Sequence, residues 1–287
     1  MGKFKTIGAV LGAIITAPAF AADLPPRREA PAPYVAPAPI MSWTGFYAGL
    51  NAGYTWSQND NVDLWFYPIG GVAAPGFFGR LSAGWNAAMI GGQVGYNRQL
   101  NESLVVGIEA DIDAILGGRR NGTLLNSSSF SFVNGDVAVK ATLTNIATAR
   151  KSLDYLATLR GRFGFLMTPQ LMLYATGGLA IGGARSNFAV AQIVSTGGSG
   201  FGYADASSAR IGWTVGAGAE YKLSQRWTAK LEYLYYDLGR MTYAGLMWSA
   251  GAPYSVAVAT PRFNGHLVRL GVNYQFGSSP APVVAKY

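Results

Sequence analysis

The residues of this chain that could do chemistry are mostly charged side chains set two apart. Glu109, Asp111 and Asp113 alternate along one stretch and Arg160 and Arg162 along another. Glu220 and Lys222 form a third pair, Lys230 and Glu232 a fourth, while Arg210 and Arg269 hold the same phase in their own segments. A spacing of two puts side chains on one face of an extended strand. Five acids facing six bases on such faces predict mutual ion pairing in an enclosed space, or a small ion path, rather than catalysis. The only histidine is His266, and the chain has no cysteine, which removes disulfides, thiolate metal sites and thiol nucleophiles. His266 shares the phase of Phe276, not of the charges, so it reads as an interfacial side chain. No nucleophile elbow, phosphate loop or metal-ligand cluster appears, and the chain reads as a non-enzyme with no required cofactor.

The elements that must hold these charges repeat with a period of two. Phe46–Trp56 sets Phe46, Ala48, Leu50, Ala52, Tyr54 and Trp56 against Tyr47, Gly49, Asn51, Gly53 and Thr55. The same alternation runs through 88–100, 104–114, 155–165, 171–181, 209–221, 227–235 and 266–276. That makes eight segments near the 9–11 residues of a tilted membrane strand. Tight turns sit at 101–103, 168–170 and 224–226, and long connections at roughly 57–86, 116–152, 185–208 and 237–263. Aromatics gather near the ends of the apolar face: Tyr96, Phe165, Tyr221, Trp227, Tyr274 and Phe276 at one rim, and Trp56, Trp213 and Tyr235 at the other. Short turns on one side, long loops on the other and an even strand number are the pattern of an outer-membrane barrel. Hydrocarbon offers backbone groups no partners, so such a sheet must close.

The predicted fold is therefore all-β: an eight-stranded antiparallel up-and-down transmembrane β-barrel with long extracellular loops. A hairpin signal at Asn134-Gly135 within 129–144 leaves ten strands as the alternative, although an extracellular hairpin prolonging its neighbours fits its short arms better. Eight strands enclose an interior that side chains can fill. Counted from the tight turns, Glu109, Asp111, Arg160, Arg162, Lys230, Glu232 and Arg269 form the predicted lumen charge network, with Glu109 beside Arg160 and Glu232 beside Arg269. In a narrow, low-dielectric bore these should pair, because an isolated buried charge is costly. A small-solute porin is the alternative.

Composition agrees. Only 13% of the 287 residues are Asp, Glu, Lys or Arg, about half the usual share of roughly 25%, while 38 Gly, 16 Tyr, 14 Phe and 7 Trp exclude a disordered chain. Lys3 and Lys5, the apolar run 7–15 and the Ala19-Phe20-Ala21 site read as a secretory signal peptide cleaved after residue 21. Of 22 basic residues, two lie in that signal, so 14 acidic residues leave the mature chain at +6; export makes nucleic acid an improbable partner for that excess. Expected boundaries are 1–21 signal peptide, 22–42 Pro-rich periplasmic linker, 43–276 barrel and 277–287 periplasmic tail. Either Pro-rich tail could meet peptidoglycan, though a solvated tether is the simpler reading. A barrel of this kind expects outer-membrane lipid and lipopolysaccharide around it, and the barrel-assembly machinery to insert it.

Five stretches carry a resemblance: Trp43-Thr44-Gly45-Phe46-Tyr47-Ala48-Gly49, Gly107-Ile108-Glu109-Ala110-Asp111, Leu159-Arg160-Gly161-Arg162-Phe163-Gly164, Ala175-Thr176-Gly177-Gly178-Leu179-Ala180, and Arg269-Leu270-Gly271-Val272-Asn273-Tyr274-Gln275-Phe276. Taken in order behind a signal peptide and a Pro-rich stretch, they resemble the α-proteobacterial outer-membrane surface-antigen family. That family holds immunogenic and hemin-binding proteins on a small barrel like that of outer membrane protein A. The resemblance implies a structural, antigenic surface protein, with a hemin-binding receptor as the alternative. Heme would then meet loop aromatics among Trp65, Phe66, Tyr67, Phe77, Phe78, Tyr203, Tyr243, Trp248 and Tyr254, with a Tyr or His266 on iron. It also implies an assembly signal at the aromatic end of the last strand, here Tyr274 and Phe276, past which this chain runs for eleven more residues.

Overall fold

The structure is a computed structural model that describes residues 41–70 and 78–276. The expected signal peptide, nearly all of the Pro-rich linker and the 277–287 tail lie outside the described residues, as does Phe77. Thirteen strands and no helix are described: β1 (Gly45–Ser57), β2 (Asn61–Pro68), β3 (Phe78–Ser82), β4 (Asn86–Gln99), β5 (Leu104–Leu116), β6 (Asn121–Asn134), β7 (Val137–Leu166), β8 (Leu171–Val194), β9 (Ser199–Lys222), β10 (Trp227–Arg240), β11 (Tyr243–Ser249), β12 (Ala252–Ala259) and β13 (Arg262–Phe276).

Eight of them pair antiparallel in a closed ring, β1-β4-β5-β7-β8-β9-β10-β13 and back to β1. The register lines up one aromatic rim near the tight turns: Phe46 opposite Phe276 and Tyr96, Leu104 opposite Phe165, Leu171 opposite Tyr221, and Trp227 opposite Tyr274. Turn chemistry explains the closures. Asn101 accepts from the N–H groups of Ser103 and Leu104 through its side-chain oxygen, and Thr168 Oγ1 does the same for Gln170 and Leu171, the Asx and Ser/Thr turns expected of such residues. Outward side chains of the ring are apolar and bare, with Leu50 74%, Ile211 71% and Leu270 65% exposed. From Trp227 to Tyr235 along β10 is ~26 Å at ~3.3 Å per residue; a tilt of ~40° leaves a belt about 20 Å tall, close to that of membrane barrels.

The connections beyond the far rim are not loops, contrary to expectation. The region 57–86 contains β2 and β3, 116–152 contains β6 and half of β7, 185–208 the outer parts of β8 and β9, and 237–263 contains β11 and β12. These join β7, β8 and β9 in an upper sheet ordered β6-β7-β8-β9-β11-β12-β2-β3. Its two edges meet where Trp85 bridges Arg119 and the Arg120 N–H donates to the Gly84 carbonyl. Register shifts between Leu153 and Leu156 on β7 and between Asp237 and Arg240 on β10 mark the level where lower ring gives way to upper sheet. The hairpin expected around Asn134-Gly135 exists, one residue later and with longer arms. Asn134 pairs with Val137, and Gly135, at φ +64°, takes the first loop position. β6 lies outside the ring of eight.

Candidate functional site

Nine charged residues of the lower ring converge on one layer inside it. β5 supplies Glu109, Asp111 and Asp113, β7 supplies Arg160 and Arg162, β9 Glu220, β10 Lys230 and Glu232, and β13 Arg269. Each points inward because it alternates with a bare apolar neighbour, and none is more than 6% exposed. Direct cross-strand register seats Glu109 opposite Arg160 and Glu232 opposite Arg269.

The pairs do not stop at adjacent strands. Arg160 joins Glu109 at 2.6 Å and Asp111 at 2.8 Å through Nη2, while its Nη1 reaches across the bore to Glu232 at 2.8 Å. Arg269 spans Glu232 at 2.7 Å, Asp113 at 2.7 Å and Asp111 at 3.0 Å. Lys230 donates from the far side to both oxygens of Glu109, at 2.8 and 2.9 Å. Arg162 donates to Glu220 at 2.6 Å and to Tyr47 OH at 2.7 Å, with its guanidinium carbon 4.0 Å from the centre of the Tyr174 ring. Five carboxylates thus face four cationic groups. Neutral donors add to the shell: Tyr47 OH to Glu109 at 2.8 Å, Tyr174 OH to Glu232 at 3.0 Å, Thr158 to Asp111 at 2.7 Å and Asn273 to Glu220 at 2.8 Å. Charge-assisted contacts of this length are the strong kind. Glycine makes room for them: a Cβ on Gly91 would overlap the Asp113 carboxylate, and one on Gly95 the Tyr47 ring.

Apolar side chains lie above and below the layer. Toward the far rim stand Met89, Leu156, Ala180, Leu234, Tyr236 and Leu267; toward the tight turns stand Trp43, Val105, Leu166 and Met172. All seven residues expected in the network, Glu109, Asp111, Arg160, Arg162, Lys230, Glu232 and Arg269, are brought together. Asp113 and Glu220, read as inward-facing, join them. The other two inward bases do not. Lys222 sits below, donating to the Ser42 carbonyl and Gln275 with its ammonium over the Trp43 ring. Arg210 is only half-buried and donates to the Arg240 carbonyl, because β9 parts from β10 near there to pair with β11. Tyr47, Thr158 and Tyr174 were missed as network members; their phase on the strands was the available signal.

Tyr274 and Phe276 end β13, their rings 5.1 Å apart. His266 faces outward at the far rim, stacked 5.6 Å from Trp56 and 2.6 Å from Tyr233 OH through Nδ1. Among the described residues no group of three His, Asp or Glu side chains could hold a metal. The aromatics considered for heme divide. Phe66, Tyr243 and Tyr254 pack into the upper sheet's apolar core, whereas Trp65, Tyr67, Tyr203 and Trp248 are exposed. Above the far rim, Lys151 is buried between Trp85 and Phe263 and donates to the carbonyls of Asn59 and Arg262. Burial pushes its ammonium down to about 8, with Asp60 opposing.

Residues 7–276 match the outer membrane protein β-barrel domain. The chain belongs to the outer-membrane β-barrel family. Relatives within it include the 31 kDa outer-membrane immunogenic protein of Brucella melitensis, 32% identical over 273 residues that cover 95% of this chain and 99% of the relative. The 25 kDa outer-membrane immunogenic protein of the same organism is 27% identical over 286 residues, 96% of this chain and 100% of the relative. The crystal structure of OprG from Pseudomonas aeruginosa aligns with a TM-score of 0.38 at 11% identity, over 82% of this chain and 97% of that one. As an outer-membrane β-barrel protein the chain resides in the outer membrane, and its bare apolar belt lies in lipid.

Proposed function

We propose that the protein is an eight-stranded transmembrane barrel whose lumen is closed by paired charges, and that its work is structural and surface-facing rather than catalytic. The tight turns then lie in the periplasm and the upper sheet stands outside the cell as the antigenic exterior. The observation that carries this reading is the cross-bore pairing of Arg160, Arg269 and Lys230 with Glu109, Asp111 and Glu232. Salt bridges of 2.6–2.8 Å between side chains with no exposed surface support a bore filled at that level. A pore would instead line its walls with charges that face water. Apolar side chains on both sides of the layer support the same conclusion.

Planar-bilayer recording of the refolded protein tests it. Small, irregular conductance is expected; large, stable channels would refute the closed bore. His266 belongs to the outward aromatic rim in this reading, so His266→Ala leaves envelope properties intact, and loss of a hydrolytic activity on that change would overturn the non-catalytic role. Tyr274 and Phe276 serve as the assembly signal, to be tested by the rate of insertion of Phe276→Ala with the barrel-assembly machinery. The hemin reading draws on exposed Trp65 and Tyr67, two residues apart on β2; a hemin titration without a saturable spectral shift removes it.

A further inference from the structure

The outward face of the upper sheet holds a cationic hollow directly above the apolar belt. Along β8 the outward positions run Ile181, Gly183, Arg185, Asn187, and opposite them along β9 run Ile211, Ala209, Ser207, Asp205. On β7, Ser152 lies opposite Arg185 and Arg150 opposite Asn187. The β5–β6 connection brings Arg119 and Arg120 just past exposed Leu116. On neighbouring strands, therefore, the outward surface changes from hydrocarbon to polar along one line, and arginines crowd the first turns of chain above it.

Arg119, Arg150, Ser152, Arg185, Asn187 and Asp205 line a cavity of about 120 Å³. A second hollow of about 290 Å³ shares Arg119 and Ser152 and extends past Gly117 and Gly118 to Asp154. The charges lining these hollows are three arginines, Arg119, Arg150 and Arg185, and two aspartates, Asp154 and Asp205. Asp154 approaches Arg185 at 3.4 Å, and the Arg150 Nε donates to the Asn121 side chain at 2.8 Å. Among the described residues, no ion pair uses Arg119, Arg120 or Arg150. The guanidinium fork matches phosphate oxygens, and a cluster left short of carboxylates favours an anion from outside the chain.

We propose that this hollow seats the phosphate-bearing headgroup of an outer-leaflet glycolipid, lipopolysaccharide, while its acyl chains lie on the strip formed by Leu159, Leu179, Ile181 and Ile211 below. The site sits where a lipid headgroup is the nearest neighbour, and it offers positive charge above and hydrocarbon contact beneath, the two halves of such a molecule. It rests on the orientation proposed above, with the upper sheet outside.

Binding of lipopolysaccharide to the full-length protein in nanodiscs tests the site, against the same lipid stripped of phosphate and against inorganic phosphate. The combined variant Arg119→Ser, Arg150→Ser, Arg185→Ser should bind lipopolysaccharide at least ten-fold more weakly, and the stripped lipid should bind wild type with a similar loss. Unchanged binding by the variant, or equal binding of the stripped lipid, would overturn the proposal; so would inorganic phosphate competing as well as the lipid, which would mark a free-anion site. If the serine variant does not fold, judged by heat-modifiable gel mobility, the triple lysine variant replaces it, with a smaller but measurable loss expected. Orientation is read separately. The chain has no cysteine, so Ser129→Cys alone reports to an impermeant maleimide in intact cells. Labelling fixes the upper sheet outside, and its absence sinks the orientation whatever the nanodisc result.

Discussion

In the lower ring a layer of inward positions carries charge while Leu, Ile and Phe face outward; in the upper sheet the inward positions form an apolar core while Arg150, Arg185 and Asn187 stand outward. β8 crosses both regions without changing phase. Its inward Tyr174 and Thr176 border the ion-pair layer, and its inward Phe188 and Val190 belong to an apolar core with Val62, Leu64, Ala147, Ala149 and Met247. Outward it passes from Leu173 and Leu179 to Arg185 and Asn187. The backbone sets only which side chains share a face; the surrounding solvent decides which face is greasy. In hydrocarbon, burying an apolar side chain inside the ring gains little over leaving it in lipid, so specific polar pairing holds the bore together. Above the belt, water supplies the ordinary hydrophobic drive, and small apolar side chains fill the interior.

The contrast can be broken most forcefully in the bore. Arg160→Leu leaves Glu109, Asp111 and Glu232 short of a partner, and removing one member of a buried pair costs about 3–5 kcal/mol. Urea titration of folding in lipid vesicles, followed by tryptophan fluorescence, measures it; a loss under ~1 kcal/mol would mean that water reaches the layer and solvates it. In the upper sheet, Phe188→Ala should cost about 3 kcal/mol but only locally. Hydrogen exchange should quicken in β11, β12 and the outer part of β8 while heat-modifiable mobility persists. If that mobility is lost as well, the two regions are a single cooperative unit.

Lys151 at the junction gives a subtler effect. Its ammonium is lowered by burial to about 8, while the unfolded chain holds the proton to about 10.4. The unfolded state therefore binds more protons between those values, and upper-sheet stability rises with pH across that window and levels off above it. Below pH 8 the buried charge is carried in full. Hydrogen exchange of the upper sheet at pH 7 and pH 10 should reveal the slope once intrinsic exchange rates are corrected, and Lys151→Met should flatten it. The smallest change is expected at the rim, where His266→Ala removes aromatic contacts worth about 1 kcal/mol, measurable in the same urea titration without any change in the bore.

The eight ring strands were readable because their alternation sets unlike residues against each other, as with Leu231 and Tyr233 against Lys230 and Glu232. The upper strands lack that contrast. β6 runs through Ser127, Ser128 and Ser129, and β9 through Ala204, Ala206, Ser207, Ser208 and Ala209, so neither face declares itself and the stretch resembles a loop. For the charges, phase was legible and depth was not. Arg210 shares the inward phase of Glu220, yet it sits where β9 changes neighbours, and Lys222 falls beside Trp43 beneath the layer. No local spacing announces a change of strand partner or the reach of a long side chain across a bore. Tyr174 lies in a Gly-rich segment of weak contrast, and only the fold brings its ring over Arg162.

β7, β8 and β9 each run as one strand from the lower ring into the upper sheet, so among the described residues the two regions share three continuous strands rather than a flexible connection. A pull applied at the tip near Gly135 or Gly197 would load their interstrand hydrogen bonds lengthwise, many at once, and travel straight to the embedded end. In mechanical terms the upper sheet is therefore a stiff mast on the ring rather than a tether.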